Sequence, residues 1–232
     1  MKVRRDFLLD PNLVLYLPLW KMDGASFPSQ DKHGLLCTVT GATWTPRGRD
    51  FNGTSDLISL GNPSQLIFGN GTVDNAFSIW AWAKMDDATN FAIITKGIGA
   101  AAYEYAFYTQ STDLFSVSVY SNGDGNLERG RQYSTALTSK EGQWLFFAGS
   151  YDGSGTVGGF RLYLNAIRVD DTNLTAGVYV ALNDKGRNAI IGQKWETSTL
   201  NGIIGELAVY KNRVLTQIEF QNIMLATKGR YA

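Results

Sequence analysis

Short apolar runs separated by glycines are the feature that most restricts how this chain can fold. Its 232 residues include 25 glycines and 5 prolines, and the glycines separate apolar runs at roughly 8 to 15 residue intervals. The runs are rich in aromatic and β-branched residues, which favour pleated strands. This spacing predicts antiparallel strands in a sandwich or barrel. The predicted strands are 13–19, 35–39, 50–51 with 57–60, 76–85, 91–96, 103–109, 114–120, 143–151, 158–169, 188–192 and 203–210.

One predicted strand carries apolar residues on both of its faces. Successive side chains of a strand point to opposite sides of the sheet. In the segment 77–82, one face would hold Phe77, Ile79 and Ala81, and the other Ser78, Trp80 and Trp82. The pattern therefore predicts a central strand that is covered on both sides, or a strand with one face that binds a ligand.

A single helix is predicted near the end of the chain. Thr216 and Glu219 have the spacing of a capping box, and Leu215 and Phe220 are placed as a hydrophobic staple. An apolar stripe follows, and Gly229 is a typical stop signal. We predict one short C-terminal helix over 216–227, within one domain over 13–232 that follows an N-terminal arm over 1–12.

Charge and hydropathy argue against two classes of partner. Lysine plus arginine number 21 and aspartate plus glutamate number 21, so the formal net charge is zero. A balanced chain creates no long-range field that attracts nucleic acid or an anionic membrane. No apolar run reaches the ~18 residues of a membrane span, and the first residues do not have the pattern of a signal peptide. We expect neither nucleic-acid nor membrane binding.

Catalytic residues are not evident. A glycosidase needs two carboxylates that face each other across the sugar bond, whereas the acidic residues here are scattered singly or adjacent, as in Asp86 and Asp87. Adjacent strand residues point to opposite faces. The one cysteine, Cys37, lies in an apolar run, which predicts a buried thiol. The one histidine, His33, lies in a polar segment, which predicts a surface position. We predict that the chain is not an enzyme.

Aromatic residues supply the candidate ligand-binding positions. There are 6 tryptophans, 11 tyrosines and 12 phenylalanines, and most must be core; Trp44 and Trp82 lie in apolar patterns and are assigned to packing. Trp195 lies instead in a polar segment, 192–199, where an indole suits stacking on a sugar or anchoring a protein interface. The alternative is that Trp195 folds back over the domain edge. Trp80 and Tyr108 are further candidates.

The order of motifs resembles a known family. The pieces that carry the likeness are Leu13-Val-Leu-Tyr-Leu-Pro-Leu19, Val39-Thr-Gly-Ala-Thr-Trp44, Phe51-Asn-Gly-Thr-Ser-Asp56, Phe77-Ser-Ile-Trp-Ala-Trp82, Ile93-Ile-Thr-Lys-Gly97, Trp144 to Gly153, Arg161-Leu-Tyr-Leu-Asn165 and Gly202 to Tyr210, followed by the helix. Over nearly its whole length, from Leu13 to Lys228, the chain is similar to the laminin-G-like, concanavalin A-like jelly-roll domains.

This resemblance implies an all-β fold and a binding role. The fold would be a jelly-roll sandwich of two antiparallel sheets, usually non-catalytic, that binds glycans or proteins or serves as a structural module. Many members hold one structural calcium. Here the family's Phe-Asp-Gly motif reads Phe51-Asn52-Gly53, and its terminal Asp-Glu reads Gly205-Glu206. Asp56 and Glu206 are therefore the remaining candidate calcium ligands.

Three functions follow from the sequence as hypotheses. The first is a non-enzymatic surface module of a virus particle, a decoration or tail-associated protein with glycan adhesion, which forms part of a larger assembly and can form homo-oligomers. The second is a carbohydrate-binding module of a larger secreted protein. The third and least favoured is a divergent polysaccharide hydrolase or lyase. The first two predict a virion or extracellular surface location without a recognisable signal peptide.

Overall fold

The computed structural model describes residues 6–97, 102–122, 124, 126–194 and 198–231. Strands dominate this part of the chain. They are β1 (Leu13–Pro18), β2 (Ser26–Pro28), β3 (Leu36–Thr40), β4 (Thr43–Thr45), β5 (Gly48–Asn52), β6 (Leu57–Ser59), β7 (Phe77–Asp87), β8 (Ala92–Lys96), β9 (Tyr105–Thr109), β10 (Phe115–Tyr120), β11 (Glu128–Gln132), β12 (Trp144–Tyr151), β13 (Phe160–Leu164), β14 (Ile167–Arg168), β15 (Thr172–Thr175), β16 (Ala189–Ile191), β17 (Gln193–Lys194), β18 (Ser198–Thr199) and β19 (Asn201–Lys211).

Helical structure is sparse. The helix α1 (Gln217–Thr227) begins after Thr216, whose side chain accepts from the Glu219 backbone N–H while the Glu219 carboxylate accepts from the Thr216 N–H. This is the predicted capping box, and the predicted C-terminal helix is confirmed. Short 3-10 helices lie at Asp6–Leu9, Leu19–Lys21, Ser64–Leu66, Thr138–Lys140, Val157–Gly159 and Lys228–Arg230.

Two antiparallel sheets make up the body of the protein. In the described residues, the first sheet has eight strands: seven lie in the order β14-β13-β12-β7-β19-β5-β4, and β1 pairs with β19. Two strands pair in succession with the edge of β19 that faces away from β7: β5 pairs with the first residues of β19, and β1 pairs with its last residues. The second sheet has nine strands in the order β15-β11-β10-β9-β8-β16-β6-β3-β2, and β17 and β18 form a separate hairpin. The predicted fold class, a two-sheet antiparallel sandwich, is confirmed.

The main core lies between the two sheets. From β7 it receives Phe77, Ile79 and Ala81, and from the second sheet residues such as Phe107 and Phe115. The rings of Phe107 and Phe115 meet edge to face with centroids 5.1 Å apart, an arrangement that aromatic quadrupoles favour. The Cys37 thiol is also buried in this core, as predicted, and burial raises its pKa to about 12.

The outer face of the first sheet is covered by α1. Trp80 and Trp82, from the second face of β7, lie in a separate apolar cluster with Phe220 and Ile223 of the helix. The Trp82 indole N–H donates to the Thr227 hydroxyl at 2.8 Å. The prediction that this central strand is covered on both sides is therefore confirmed, because the C-terminal helix supplies the second cover.

Two features of the strand pattern differ from the prediction. The predicted strand 158–169 is two strands, β13 and β14, because Asn165 and Ala166 both have positive φ angles and turn the chain back. The polar strands β11 and β15 were not predicted, because their sequences lack apolar alternation. They form because β11 pairs with β10 and β15 adds to the edge of β11.

Candidate functional site

A depression on the outer face of the second sheet is the best candidate for a functional site. Its volume is about 320 Å³. It lies over β9 and β10, on the side of the sheet that faces away from the main core. Its walls combine tyrosine rings, side-chain amides, a hydroxyl, one carboxylate and one amine, from Asn90, Tyr103, Tyr108, Gln110, Ser111, Tyr120, Glu128 and Lys194.

Small residues form the sheet surface beneath these rings. Ser116 lies opposite Tyr108 across β9 and β10, and Ser118 lies opposite Ala106. On the next strand, Gly130 lies opposite Ser118. Side chains of this size leave room for large rings to lie against the sheet, and Ala106, Tyr108 and Tyr120 pack together as a small apolar cluster. The alternation of small polar and apolar residues in β10 thus creates the space for the depression.

The three tyrosines are linked to one another. The rings of Tyr103 and Tyr120 lie with centroids 5.5 Å apart, and the hydroxyls of Tyr108 and Tyr120 are hydrogen-bonded. The Tyr120 hydroxyl donates to Glu128 Oε1 at 3.2 Å. Burial raises the pKa of both Tyr108 and Tyr120 above the usual tyrosine value. Both phenols therefore stay neutral at physiological pH and remain able to donate and accept hydrogen bonds.

Lys194 lies over the Tyr108 ring. Its Nζ is 3.5 Å from the ring centroid, and the residue is 4% exposed. The hairpin that carries it is held to the sheet where the Thr95 hydroxyl donates to the Gln193 carbonyl at 2.6 Å. Burial lowers the pKa of the Lys194 amine to about 7, and the negative charge of Glu128 partly opposes this shift. The amine therefore changes its charge near neutral pH.

The predicted ligand-binding residues have different outcomes. Tyr108 lines the depression, although it is only 2% exposed and Lys194 lies over its ring. Trp80 does not: it is 0% exposed and packs against Phe7 and Phe146 in the cluster under α1. The prediction of a ligand contact for Trp80 was wrong, because its alternating position faces the helix. Trp195 lies outside the described residues, and its assignment stays a prediction.

Other aromatic and polar residues were misjudged or missed. Trp44, assigned to packing, is 37% exposed. Tyr103, Tyr120 and Lys194 were not predicted as site residues. One sequence signal could have identified Tyr120: in β10, serines alternate with valines in the residues that precede it. Lys194 gave no sequence signal, because only the tertiary fold brings it to Tyr108.

The two candidate calcium ligands do not form a shared site. The Asp56 carboxylate accepts from the Asn52 backbone N–H at 3.1 Å, and Asn52 pairs with Asn201 at the start of β19. Glu206 lies five residues after Asn201 on β19, so these two residues are roughly 16 Å apart at about 3.3 Å per residue. The Glu206 carboxylate accepts a hydrogen bond from the Trp20 indole N–H at 2.8 Å. In the described residues no three acidic, histidine or cysteine side chains form a group that could hold a metal ion.

We expect calcium removal to leave the melting temperature unchanged, because Asp56 and Glu206 already hold protein donors. Thermal melts in EDTA and in millimolar calcium test this. A melting temperature that rises by several degrees with calcium, and returns to the EDTA value in the Asp56→Asn variant, would contradict it and identify Asp56 as a ligand.

The described residues that line the depression contain no pair of carboxylates. Among the described residues that line it, Glu128 is the one carboxylate. His33 is exposed, as predicted, and its Nδ1 lies 3.3 Å from the Gln65 amide nitrogen. The arrangement instead offers an aromatic surface, hydrogen-bonding groups and an amine that titrates near neutral pH.

A larger space, about 790 Å³, lies between the N-terminal segment and α1. Arg213 crosses this region, pairing with Asp10 at 3.4 Å and with Glu219. Phe7 fills the adjoining part of the cluster beneath the helix. These contacts fasten the N-terminal segment to the helix, so we interpret the space as a packing seam.

Comparisons with known proteins support the fold. A family model described as the concanavalin A-like lectin/glucanases superfamily matches residues 52–220. No curated protein sequence matches the chain.

No helix in the described residues is long and apolar enough to span a membrane.

Several solved structures share the sandwich. Domain 4 of AbnA, an extracellular arabinanase of Geobacillus stearothermophilus solved with arabinotriose, has a TM-score of 0.61 at 17% identity, with 91% of this chain and 98% of that chain covered. A structure of botulinum neurotoxin type C, whose cell entry depends on interaction with two ganglioside molecules, has a TM-score of 0.64 at 11% identity, with 94% of this chain and 52% of that chain covered. Trypanosoma rangeli sialidase with sialic acid has a TM-score of 0.60 at 13% identity, with 94% and 33% covered.

The chain therefore spans nearly all of the arabinanase domain, about half of the toxin chain and a third of the sialidase chain. At these identities the likeness concerns the fold alone. The family model, in contrast, matches well over half of the chain. The chain belongs to the concanavalin A-like lectin/glucanases superfamily.

Proposed function

We propose that this protein is a non-enzymatic glycan-binding module whose ligand binds in the depression formed by Tyr103, Tyr108, Tyr120, Glu128 and Lys194. The observation that carries the proposal is the combination of clustered tyrosine rings with side-chain amides in one open depression of about 320 Å³. Aromatic rings offer flat apolar surfaces to the C–H face of a sugar. The amides of Asn90 and Gln110 offer hydrogen bonds to its hydroxyls.

A binding role is favoured over hydrolysis by the carboxylates of the site. Hydrolysis of a sugar bond uses two carboxyl groups about 5–5.5 Å or 6.5–9.5 Å apart. Glu128 is the one carboxylate among the described lining residues, and it already accepts from Tyr120. The chemistry of the site therefore suits recognition.

The similar solved structures also support a glycan ligand. Of three solved structures with this fold, one is in complex with arabinotriose, one is of a toxin that interacts with gangliosides, and one is in complex with sialic acid. The arabinanase domain is matched over nearly its full length, so the fold occurs as a separate domain of a larger carbohydrate-active protein. By analogy, we expect a sugar rather than a peptide or a nucleic acid as the ligand.

We expect Tyr103→Ala to weaken glycan binding by about tenfold or more, which corresponds to roughly 1.4 kcal/mol. Tyr103 is the half-buried ring of the cluster, and truncation of a central aromatic residue often costs at least this much. The measurement is retardation in affinity gels that contain plant, microbial or animal polysaccharides, followed by calorimetry with oligosaccharides of any polymer that retards the protein.

Trp44→Ala is the matched control, because Trp44 is also a partly exposed aromatic residue but lies on β4 of the other sheet. Loss of binding in both variants would contradict the assignment of the site, and no retardation on any polymer would contradict the function.

Trp195→Ala belongs in the same series. We expect this variant to lose binding with little change in melting temperature, and a large drop in melting temperature would reassign Trp195 to packing.

The biological setting is a further part of the proposal. We propose display on a virus particle or in an extracellular assembly, with adhesion to a glycan as the purpose of the module. Electron microscopy of particles from the native source tests this. Density for the protein on a particle surface supports display, and an isolated monomer without particle association contradicts it.

A further inference from the structure

We infer that α1 is the contact surface of a two-fold dimer, in which the helix packs antiparallel against the same helix of a second copy of this chain. The inference starts from the exposed side of the helix. Glu219 is the one charged residue among the eleven of α1. The exposed side carries Ile218, Asn222 and Leu225, and this spacing places their side chains in one stripe along the helix.

Exposed apolar side chains are concentrated around this stripe. Ile218 is 68% exposed and Leu225 is 45% exposed. Val214 precedes the helix, and Leu8 and Leu9 belong to the 3-10 helix beside it. These five are nearly half of the eleven large apolar residues that are exposed in the described part of the chain. A helix that is apolar on all sides is ordinarily covered on all sides, whereas the sheet covers only one side of α1.

The charges at the two ends of the helix favour an antiparallel partner. At its start, Asp10 and Glu219 both pair with Arg213, and two carboxylates with one guanidinium leave one negative charge. At its end, Lys228 and Arg230 form no salt bridge within the described residues. In an antiparallel pair each acidic end lies beside a basic end and the helix dipoles oppose each other. A parallel pair would bring like charges together.

The stripe is also complementary to itself about its centre. Ile218 and Leu225 lie at equal distances from the point between Gln221 and Asn222, about 5 Å along the axis at about 1.5 Å per residue. A two-fold axis at this point would place Ile218 of each protomer against Leu225 of the partner subunit. The two Asn222 amides would meet near the axis, where an amide can both donate to and accept from its copy.

A dimer of this kind would present two glycan sites. The helix α1 covers the outer face of the first sheet, whereas the depression proposed to bind glycan lies on the outer face of the second sheet. Pairing through α1 therefore leaves both depressions open on opposite sides of the dimer. This consequence, unlike the dimer itself, rests on the proposed function. It predicts tighter binding to a polymer that engages both sites than to a short oligosaccharide.

Sedimentation equilibrium measures the dimer directly. Over protein concentrations from about 1 µM to about 1 mM, the range in which small interfaces associate, we expect the mean mass to rise. It should start at the 25.5 kDa of the monomer and approach twice that value. Ile218→Glu should raise the dissociation constant by more than about tenfold, because it places a charge in an apolar contact.

The matched control is Val178→Glu, since Val178 is 78% exposed but follows β15 of the second sheet. We expect this variant to dimerise like the wild type. A glutamate in the first turn of a helix suits the helix dipole, so Ile218→Glu should stay folded. Thermal melts check both variants at concentrations well below the dissociation constant, where association adds no stability.

Disulfide trapping tests the antiparallel arrangement. Oxidation of a mixture of Ile218→Cys and Leu225→Cys chains should give mostly mixed dimers, with position 218 joined to position 225. The two copies of position 218 would lie about 10 Å apart along the axis at about 1.5 Å per residue, which is more than a disulfide spans between Cα atoms. The native Cys37 is buried and should not react.

The outcomes separate the dimer from the glycan-binding function. A protein that stays monomeric up to about 1 mM, equal weakening by Val178→Glu, or mostly 218–218 disulfides would each overturn the inference and leave glycan binding in place. A dimer that binds no sugar would overturn the proposed function alone. If both hold, Ile218→Glu should reduce retardation in polysaccharide gels, while its affinity for a short oligosaccharide in calorimetry stays that of the wild type.

Discussion

Replacement of Asp170 by asparagine is expected to lower the free energy of unfolding by about 1.5–3 kcal/mol, the range for hydrogen bonds to a charged group, because the arginines left behind are partly exposed to solvent. The Asp170 side chain has no exposed surface. Its carboxylate accepts from the Arg168 Nε at 2.9 Å, from the Arg131 Nε at 3.2 Å and from the Leu162 backbone N–H at 3.0 Å. These bonds join β13 and β14 of the first sheet to β11 of the second.

The loss of stability should depend on pH. Burial by itself would raise the pKa of Asp170, but the hydrogen bonds from Arg168 and Leu162 and the charges of Arg168 and Arg131 outweigh it and lower the pKa. A carboxyl group whose pKa is lower in the folded state contributes stability above its unfolded pKa, about 3.9, and loses it as the pH falls toward the folded value. The difference between wild type and Asp170→Asn should therefore shrink below about pH 4.

Urea unfolding at pH 7 and at pH 3 measures both effects. Asp171→Asn is the matched control, because the neighbouring carboxylate bonds to the exposed Ser134. We expect this control to lose less than about 1 kcal/mol. An equal loss in the two variants, or a loss at Asp170 that does not change with pH, would refute the ion-pair explanation.

Replacement of Phe220 by alanine is expected to cost about 3–5 kcal/mol, as large-to-small changes of buried aromatic residues do. Phe220 is the fully buried ring of α1, and its centroid lies 5.1 Å from that of Tyr163 on the first sheet. The helix covers Trp80 and Trp82, so a loosened helix would admit water to both indoles. We expect a red shift of tryptophan emission at denaturant concentrations below those that unfold the wild type.

Ile218→Ala is the control for this prediction. Ile218 lies on the same helix but is 68% exposed, and alanine favours helix slightly more than isoleucine. Its stability should stay within about 0.5 kcal/mol of wild type. Comparable losses at Ile218 and Phe220 would show that the helix contributes through its own formation rather than through cover of the sheet.

Much of the architecture could be predicted from local pattern. Period-two alternation identified most of the long strands, including β7 with its two apolar faces. The Thr216 capping box located the helix start within one residue. These features were predictable because strand faces and helix caps depend on residues that are close in sequence. The polar strands β11 and β15 were missed because their pairing partners, rather than their own side chains, make them strands.

The candidate site shows the limit of local pattern more sharply. Trp80 and Tyr108 both occupy alternating positions on strands of large apolar and aromatic residues, and both were reasonable ligand candidates. Trp80 is buried beneath α1, whereas Tyr108, itself only 2% exposed, lies beneath Lys194 at the wall of the depression. Neither outcome could be read from the strands themselves, because alternation says that a side chain faces one side of a sheet and does not say what covers that side.

The sequence by itself determined the two-sheet sandwich, the C-terminal helix and a core that takes most of the aromatic residues. Only the tertiary structure decided which outer face stays open, and it alone brought Lys194 to the ring of Tyr108. The physical reason is that cover and charge environment arise from contacts between segments far apart in the chain. Burial of the Lys194 amine, and with it the pH at which this amine changes its charge, exists only once those segments have packed.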